Sequence, residues 1–351
     1  MDFIHSQGVN IIQHLQKNYK SSHNFFYFMT SAADPLNILL LYFPIWFFVS
    51  QKVGTRMLWV AVIGDWSNLI LKWILSGQRP YWWVHETEFY QSHSVPKLEQ
   101  FSITCETGPG SPSGHAMGSS SVCYVMVTAV LTYTKRRGGC FHWLSWIVLW
   151  SIFCVIQLCV CMSRVFLATH FPHQVILGII GGVFVADAFN RLQWIHTANQ
   201  KQYNFIVAFL LLFTLGFYEL LKLINVDLDW SVEKANKWCA NPEWIHFDTT
   251  PFAGLYRNLG ALIGLGIAIN SRMFLQAHTQ RNNGTIGFKL LCITCCLVLL
   301  HLFDCIPVPS HSIYLFYMFS FCKSAAIPLT VVGLVPYCMQ LLLCGNKKAH
   351  T

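Results

Sequence analysis

Charged residues are scarce in this sequence. Only 11% of the 351 residues are Asp, Glu, Lys or Arg, whereas 54% are hydrophobic, and the mean hydropathy is +0.45. This composition excludes a soluble domain and indicates a membrane protein that crosses the bilayer several times. The sequence also lacks an internal repeat, a low-complexity tract and a separate soluble segment, so we expect a single integral membrane domain over residues 1–351.

The sequence also shows no pattern typical of a signal peptide or of a metal site. No stretch near the N-terminus has the basic start of a cleavable leader, so we expect none. Cys292, Cys295 and Cys296 resemble metal ligands in spacing, but they lie in an apolar run without histidine partners. We therefore expect neither a metal nor a cofactor. Cys105 and Cys239 lie in polar loops, and the sequence leaves their pairing open.

Nine apolar runs are long enough to cross a membrane, which takes roughly 20 residues. They lie at residues 31–50, 57–76, 116–134, 143–162, 174–190, 205–222, 252–271, 287–304 and 317–344. We therefore predict an all-α fold, a bundle of about nine transmembrane helices. The last run is long, and Pro328 and Pro336 are expected to kink it.

Basic residues are dense in alternate short loops, for example at Lys52, Arg56 and residues 135–137, whereas nearly all acidic residues fall in the other loops. Short loops rich in Lys and Arg face the cytosol. The pattern predicts a cytosolic C-terminus and an N-terminus on the opposite side, with non-cytosolic loops at 80–115, 163–173 and 223–251. It also predicts that the glycosylation sequon at Asn283 is cytosolic and unused. Because the net charge of +8 is divided in this way, nucleic acid is not an expected partner.

Three local patterns predict how the helices are anchored and packed. Apolar residues within 1–30 have helical spacing, which is typical of an interfacial helix. Tyr81, Trp82 and Trp83 would end the second span in an aromatic interfacial belt. Gly178, Gly181 and Gly182 form a small-residue face that allows close helix packing.

The stretch from Ser111 to His115 joins a polar loop to an apolar run. Ser111 is expected to cap a helix that begins at Pro112, because Ser and Pro are favoured at these positions. The N–H groups of Ser113 and Gly114 would then be free to bind an oxyanion at the helix N-terminus. His115 follows directly, and phosphate is the first candidate ligand.

Two other stretches carry side chains suited to a phosphoryl group. Lys72 and Arg79 are seven residues apart, which would place them on one face of a helix. Arg164 precedes His170, and Pro172 is expected to start a helix just after it. Two histidines, two arginines and a lysine would then gather at non-cytosolic helix ends.

Together these motifs resemble the three-part signature of the phosphatidic-acid-phosphatase type 2 and vanadium haloperoxidase superfamily. The matching motifs are Lys72-x6-Arg79-Pro80, Pro112-Ser-Gly-His115 and Ser163-Arg164-x5-His170. Longer stretches, above all residues 105–118 and 170–174, are similar to the glucose-6-phosphatase catalytic subunits. This resemblance covers essentially the whole chain. Some stretches favour the islet-type relative and others the liver type, so the paralogue stays open.

The resemblance implies an endoplasmic-reticulum enzyme that hydrolyses glucose 6-phosphate at its luminal face through a phosphohistidine. It implies His170 as the nucleophile and His115 as the acid that protonates the sugar oxygen and then activates water. It implies functional coupling to a glucose-6-phosphate transporter. The groups implied to hold the phosphoryl oxygens are Lys72, Arg79, Arg164 and the N–H groups of Ser113 and Gly114. Each arginine offers a planar fork that can hold two oxygens at once.

The chain departs from the superfamily at the position that orients the nucleophile. The superfamily often has Asp four residues after the nucleophile, where this sequence has Gln174. Either Gln174 orients the ring of His170, or another group does. Among the carboxylates, Asp34 is a better candidate than Asp65 for this role. The two lysines near the C-terminus, Lys347 and Lys348, are also shifted from the usual retrieval signal.

Other functions fit part of the same pattern. A lipid phosphate phosphatase of the same superfamily shares the signature, and a weakly active paralogue would keep every motif residue. The loop at 223–251, with Trp230, Trp238, Trp244 and His246, is either a set of interfacial aromatics or a lid that contacts a sugar. Aromatic, polar luminal loops and nine spans favour a sugar phosphate over a lipid.

Overall fold

A computed structural model describes residues 1–90, 94–136, 138–245, 249–279, 285–309 and 312–348. Helices make up the regular structure of these residues, and they include no strand. The predicted all-α class is therefore confirmed. The α-helices are α1 (Asp2–Asn18), α2 (His23–Ala32), α3 (Pro35–Asn37), α4 (Phe43–Val49), α5 (Gln51–Leu75), α6 (Pro80–Glu86), α7 (Gly114–Lys135), α8 (Gly139–Phe166), α9 (Pro172–Arg191), α10 (Gln200–Leu223), α11 (Trp230–Trp238), α12 (Pro251–Ile269), α13 (Arg272–Thr279), α14 (Ile286–Asp304), α15 (Ile313–Pro328) and α16 (Val335–Lys348).

Eight helical stretches of the described chain are long and apolar enough to cross a membrane. A ninth span results if Lys20–Ala32 and Pro35–Val49, which meet at a bend of 53°, count as one crossing. The predicted bundle of about nine spanning helices is thus confirmed. Several parts of the sequence predictions, including Arg137, His246, Asn283 and residues 349–351, lie outside the described residues.

The chain packs as two compact units. The first comprises Met1–Pro35, Ile63–Ala188 and Thr214–Gly254, and the second comprises Leu36–Val62, Phe189–Phe213 and Leu255–Thr351. Every residue predicted for the phosphoryl site belongs to the first unit.

In the first unit, α1 is a helix as predicted, and one of its faces is buried. Val9 and Ile12 are fully buried, whereas Ile4 and Ile11 stay about half exposed. Gly8 lies against Phe171, since a Cβ built on Gly8 would come within 2.6 Å of that ring. The N-terminal helix therefore packs directly against the segment that carries His170.

The aromatic residues after α5 are buried, so the prediction of an interfacial belt is wrong. Tyr81 and Trp82 are fully buried and Trp83 is 6% exposed. They form a core cluster with Phe171 and Ala235. Burial of three large rings removes far more apolar surface from water than a belt would, and it anchors the short helix α6.

The small-residue face of α9 is confirmed as a close contact with α7. A Cβ on Gly178 would lie 2.6 Å from the Ser113 carbonyl oxygen, and one on Gly182 would overlap Met117 and Ser120. The two backbones can approach only because these positions carry no side chain. This contact fixes the start of α7 relative to the start of α9.

In the second unit, glycines also allow two helices to pack closely. A Cβ on Gly260 or Gly264 of α12 would overlap the backbone of Phe321 or Ala325 in α15. The long last span is not uniformly α-helical, because a π-helical segment, Leu329–Leu334, follows Pro328 and separates α15 from α16. The irregularity therefore lies at the proline where the sequence predicted a kink.

Two helix boundaries differ from the prediction. Helix α5 ends at Leu75 because Ser76 adopts a left-handed backbone with φ 43°, so Lys72 and Arg79 do not share one helix. Helix α7 begins at Gly114, not at Pro112. The Asn68 side chain donates to the carbonyl of Pro112, and the N–H of Ser113 donates to the carbonyl of Gln174. These bonds hold residues 112 and 113 in a loop outside the helix.

Candidate functional site

The carboxylate of Glu106 lies where four of the predicted site residues meet. Arg79 Nη2 lies 3.0 Å from its Oε2, and Arg164 Nη2 contacts its Oε1. His170 Nε2 lies 3.9 Å from Oε2, and His115 Nδ1 lies 3.9 Å from Oε1. Segments that are far apart in the sequence thus converge on one anionic group.

Arg79 is fully buried at the position that precedes α6. Its Nε donates to the carbonyl of Gly108 (2.7 Å), and its Nη1 donates to the carbonyl of Thr169 (3.1 Å). Only Nη2, which also lies 3.4 Å from the carbonyl of Pro109, faces the Glu106 carboxylate. Most donors of Arg79 therefore hold the surrounding loops together, and Nη2 is the nitrogen that faces the anion.

Arg164 lies in the last turn of α8 and is also fully buried. Its Nη1 donates to the hydroxyl of Thr30 (2.7 Å), and its Nη2 donates to Glu106. Its Nε has no hydrogen-bond partner among the described residues. Arg164 is thus the guanidinium that retains two donors for an anion.

His170 is fully buried in the turn between α8 and α9, and α9 begins at Pro172 as predicted. Its Nδ1 lies 2.8 Å from the carbonyl oxygen of Gly110. A carbonyl only accepts, so Nδ1 carries the proton and a neutral ring has its lone pair on Nε2. Nε2 has no partner among the described residues.

The electrostatic surroundings keep His170 neutral. Burial lowers the pKa of the His170 imidazole well below its usual range, and the nearby guanidiniums of Arg79 and Arg164 lower it further. A neutral imidazole with an open Nε2 can act as a nucleophile or accept a proton near neutral pH.

A backbone carbonyl, not a side chain, orients this ring, so the expectation for Gln174 or Asp34 is wrong. Gln174 donates to the carbonyl of Gln78 (2.7 Å) and accepts from the N–H of Phe171 (3.1 Å). Asp34 instead lies beside His115, with 3.8 Å between Oδ2 and Nε2. Gln174 therefore braces the loops on which the site is built.

Gly110 can hold this carbonyl in place only because it is glycine. Its N–H donates to the carbonyl of Gly77 (2.7 Å). A Cβ on Gly110 would lie 2.6 Å from the Gln78 carbonyl oxygen and 2.9 Å from Gln174 Oε1. The carbonyl that orients His170 is thus fixed by close contacts on both sides of Gly110.

His115 is the more open of the two histidines. It is the second residue of α7, and its side chain is 17% exposed, against 0% for His170. One ring nitrogen faces Glu106 and the other faces Asp34. This arrangement suits a group that exchanges protons with a departing or entering molecule.

The loop before α7 corrects the predicted role of Ser113. Its N–H donates to the carbonyl of Gln174 (3.1 Å), so it is not free for an anion. Its hydroxyl, however, is buried and has no partner among the described residues. Gly114 and His115 open α7, and N–H groups in the first turn lack acceptors within the helix.

Lys72 completes the cationic set from the last turn of α5. A Cβ on Gly108 would lie 3.7 Å from its Nζ. Gly108 is also the residue whose carbonyl accepts from Arg79 Nε. Lys72 and Arg79 therefore approach the same loop, although they lie on different elements.

The chain is similar to known proteins over nearly its whole length. Residues 53–198 match the family model described as "PAP2 superfamily". The chain is 58% identical to "Glucose-6-phosphatase 2" of Homo sapiens and of Mus musculus, and 99% of each protein is covered. It is 50% identical to "Glucose-6-phosphatase catalytic subunit 1" of Felis catus, covering 98% of the chain and 97% of the relative.

The chain belongs to the glucose-6-phosphatase family. No solved structure matches it.

In this glucose-6-phosphatase family member, Glu106 is the site residue that sequence reasoning missed. Burial by itself would raise the pKa of its carboxyl, but Arg164 and Arg79 outweigh burial and hold that pKa well below its usual range. The signal in the sequence was a single acid placed four residues before Gly110. Lys72, Arg79 and Arg164 were predicted to lie together in a buried site, and buried positive charges need a nearby negative charge to offset them.

The segment of this family member that carries α11 is fastened to the loop between α6 and α7. Cys105 and Cys239 form a disulfide, which answers the question that the sequence left open. Trp238 Nε1 and Lys234 Nζ both lie 2.8 Å from oxygens of Glu86. Helix α11 therefore packs on α6 and serves as a fixed part of the wall near the site.

Proposed function

We propose that this chain hydrolyses glucose 6-phosphate to glucose and inorganic phosphate through a phosphohistidine. The observation that carries the proposal is the convergence of His170, His115, Arg79 and Arg164 on one anionic group. Two guanidiniums and two imidazoles around a single anion are what a metal-independent phosphoryl transfer requires. The named relatives are glucose-6-phosphatases, and this substrate is carried over from them.

His170 is the proposed nucleophile. Its Nε2 bears the lone pair, because Nδ1 is held by the Gly110 carbonyl at 2.8 Å. Attack on phosphorus would form an N–P bond and release the sugar oxygen. A covalent intermediate divides one difficult displacement into two easier steps.

His115 is the proposed acid and base. An alkoxide is a poor leaving group, so a proton must reach the sugar oxygen as its bond to phosphorus breaks. The partly exposed ring of His115, beside Asp34, suits the side from which glucose departs and water enters. The same ring would then take a proton from the water that attacks the phosphohistidine.

The phosphoryl oxygens would be held by Lys72, Arg79 and Arg164 together with the start of α7. Arg164 offers Nε and Nη2, whereas Arg79 offers Nη2 alone. The N–H of Gly114 lies at a helix N-terminus, which favours anions. The hydroxyl of Ser113, and not its N–H, would donate to a phosphoryl oxygen.

We further propose that the site faces the lumen of the endoplasmic reticulum. The density of Lys and Arg in the opposite loops supports this orientation. It makes the enzyme dependent on a transporter that delivers glucose 6-phosphate to the lumen. Intact microsomes that contain the protein should therefore hydrolyse external glucose 6-phosphate more slowly than permeabilised ones.

The decisive experiment measures release of phosphate from glucose 6-phosphate and from phosphatidic acid by the purified protein. Preference for phosphatidic acid would favour a lipid phosphate phosphatase. Very slow turnover of both substrates would favour a weakly active paralogue.

Brief incubation with glucose 6-phosphate labelled at phosphorus should leave acid-labile label on the protein. This label should be absent in His170→Ala and retained in His173→Ala, a matched histidine three residues away. Label that survives in His170→Ala would overturn the assignment of the nucleophile.

A further inference from the structure

The carboxylate of Glu106 uses the donors that a phosphoryl group would need. It contacts Nη2 of both Arg79 and Arg164. Its Oε2 also lies 3.9 Å from Nε2 of His170, the atom that would bond to phosphorus. A phosphoryl group on that nitrogen would carry its oxygens at least as close, so the two anions claim the same space.

The backbone of Glu106 is held by several contacts, whereas its side chain is partly exposed. Cys105, directly before it, is held by the disulfide to Cys239. The Glu106 carbonyl accepts from the hydroxyl of Tyr81 (3.2 Å), and its N–H donates to the carbonyl of Thr104 (2.9 Å). The side chain is 16% exposed, whereas both guanidiniums are fully buried.

The charges favour an exchange of anions. Lys72, Arg79 and Arg164 bring three positive charges to the site, and Glu106 offsets one of them while the two histidines are neutral. A carboxylate on the guanidiniums stabilises these buried cations. A phosphate monoester can carry a second negative charge and bind the same donors, so it can displace the carboxylate.

We propose that Glu106 is an internal competitor for the phosphate site, which yields to the phosphoryl group of the substrate and returns to expel inorganic phosphate. The inference rests on the proposed function. It adds a residue that sets the affinity of the site for phosphate anions. When a binding-competent state is only partly populated, the apparent dissociation constant rises by the inverse of that fraction.

A purely structural role for Glu106 predicts the opposite result. If the carboxylate only held the two guanidiniums in place, its loss would disorder them and weaken phosphate binding. If it competes with phosphate, its loss would tighten phosphate binding, whatever happens to turnover. The direction of the change in affinity therefore separates the two roles.

The experiment is calorimetric titration of inorganic phosphate into the purified full-length protein, comparing wild type with Glu106→Gln. We expect the dissociation constant to fall by about tenfold or more, the change for a competitor that fills the site nine-tenths of the time. Glu99→Gln is the matched control, because Glu99 lies in the same loop, its side chain is 45% exposed, and its carboxylate lies 3.8 Å from Lys20 Nζ. It should leave the constant unchanged. An unchanged or larger constant in Glu106→Gln would overturn the proposal.

A second measurement does not depend on how well the variant folds. A structure of the wild-type protein with bound vanadate should show the Glu106 carboxylate displaced from at least one of Arg79 and Arg164. Persistence of both contacts beside bound vanadate would overturn the proposal as well.

The outcomes also separate this proposal from the proposed function. Wild-type protein that hydrolyses glucose 6-phosphate, with no gain in phosphate affinity in Glu106→Gln, overturns the competitor role alone. A gain in affinity without hydrolysis of glucose 6-phosphate overturns the substrate assignment and leaves the competitor. Absence of both phosphate binding and glucose 6-phosphate hydrolysis overturns both.

Discussion

At the scale of single residues, the orientation of His170, the proposed nucleophile, depends on a backbone atom. The Gly110 carbonyl fixes the tautomer of His170, a task that often falls to a carboxylate in the wider superfamily. A backbone acceptor carries no charge, so it orients the ring without favouring the imidazolium. This choice fits a site in which Glu106 already supplies a negative charge close to both histidines.

We predict that Gly110→Ala lowers turnover of glucose 6-phosphate by about 100-fold, the cost of displacing a catalytic group by roughly 1 Å. The added Cβ would lie 2.6 Å from the Gln78 carbonyl oxygen and must shift the carbonyl that holds His170. Steady-state kinetics should show the loss mainly in kcat. Gly216→Ala is the control, because a Cβ there meets no atom of the described residues within 4 Å. Equal kinetics for the two variants would contradict this account.

We predict that His115→Ala slows phosphorylation by glucose 6-phosphate much more than phosphorylation by p-nitrophenyl phosphate. The sugar oxygen needs a proton when it leaves, whereas the aryl oxygen is a good leaving group without one. The measurement is the ratio of the two losses in single-turnover experiments. Asp34→Asn should shift the ratio in the same direction but less, because Asp34 lies beside His115 and would influence proton transfer through that ring. Equal losses for both substrates would show that His115 does not protonate the leaving group.

At the scale of whole elements, the contact between α7 and α9 sets the geometry of the site. The start of α7 carries Ser113, Gly114 and His115, and the segment just before α9 carries His170. Gly178 and Gly182 let the two helices touch at the backbone. Any group that separates them should therefore move the acid relative to the nucleophile.

We predict that Gly178→Ala destabilises the protein by about 1–3 kcal/mol, the usual cost of overpacking, and lowers activity. A Cβ there would lie 2.6 Å from the Ser113 carbonyl oxygen and 3.0 Å from the Ala116 Cβ. Gly181→Ala is a matched control on the same helix, where the nearest atoms, in the Met117 side chain, are 3.4 Å away and can shift. Thermal unfolding in detergent checks both variants. An equal melting temperature for Gly178→Ala and the wild type would refute the packing argument.

At the scale of the whole molecule, the proposed orientation in the membrane rests on the distribution of Lys and Arg. The proposed site residues lie in loops and at helix ends that this distribution would place on the luminal side. The sequon at Asn283 lies outside the described residues, in a loop assigned to the cytosol.

We predict that Asn283 carries no glycan in cells, because the transferase acts in the lumen. Endoglycosidase treatment should leave the electrophoretic mobility of the protein unchanged. A shift that disappears in Asn283→Gln would invert the orientation at this loop, and with it the assignment of the site to the luminal side.

The amino-acid sequence by itself determined the helical class and the approximate spans, and it pointed to most of the residues now proposed to handle the phosphoryl group. Each depends on local information: apolar runs of spanning length, a proline at the start of α9, and short motifs that keep their spacing. His170 and His115 could be named without coordinates because their neighbours in sequence carry the motif.

Only the tertiary structure decided what holds these residues and what lies between them. The role of Gly110 depends on a carbonyl 60 residues away from His170 in sequence. The left-handed backbone at Ser76 ends α5, so Lys72 and Arg79 do not lie on a common helix. The N–H of Ser113 donates to the Gln174 carbonyl and is therefore not among the groups free to bind phosphate. Glu106 stood out only when residues of three distant segments met around it. Periodicity reports the face of one element, whereas these contacts depend on how distant segments pack against each other.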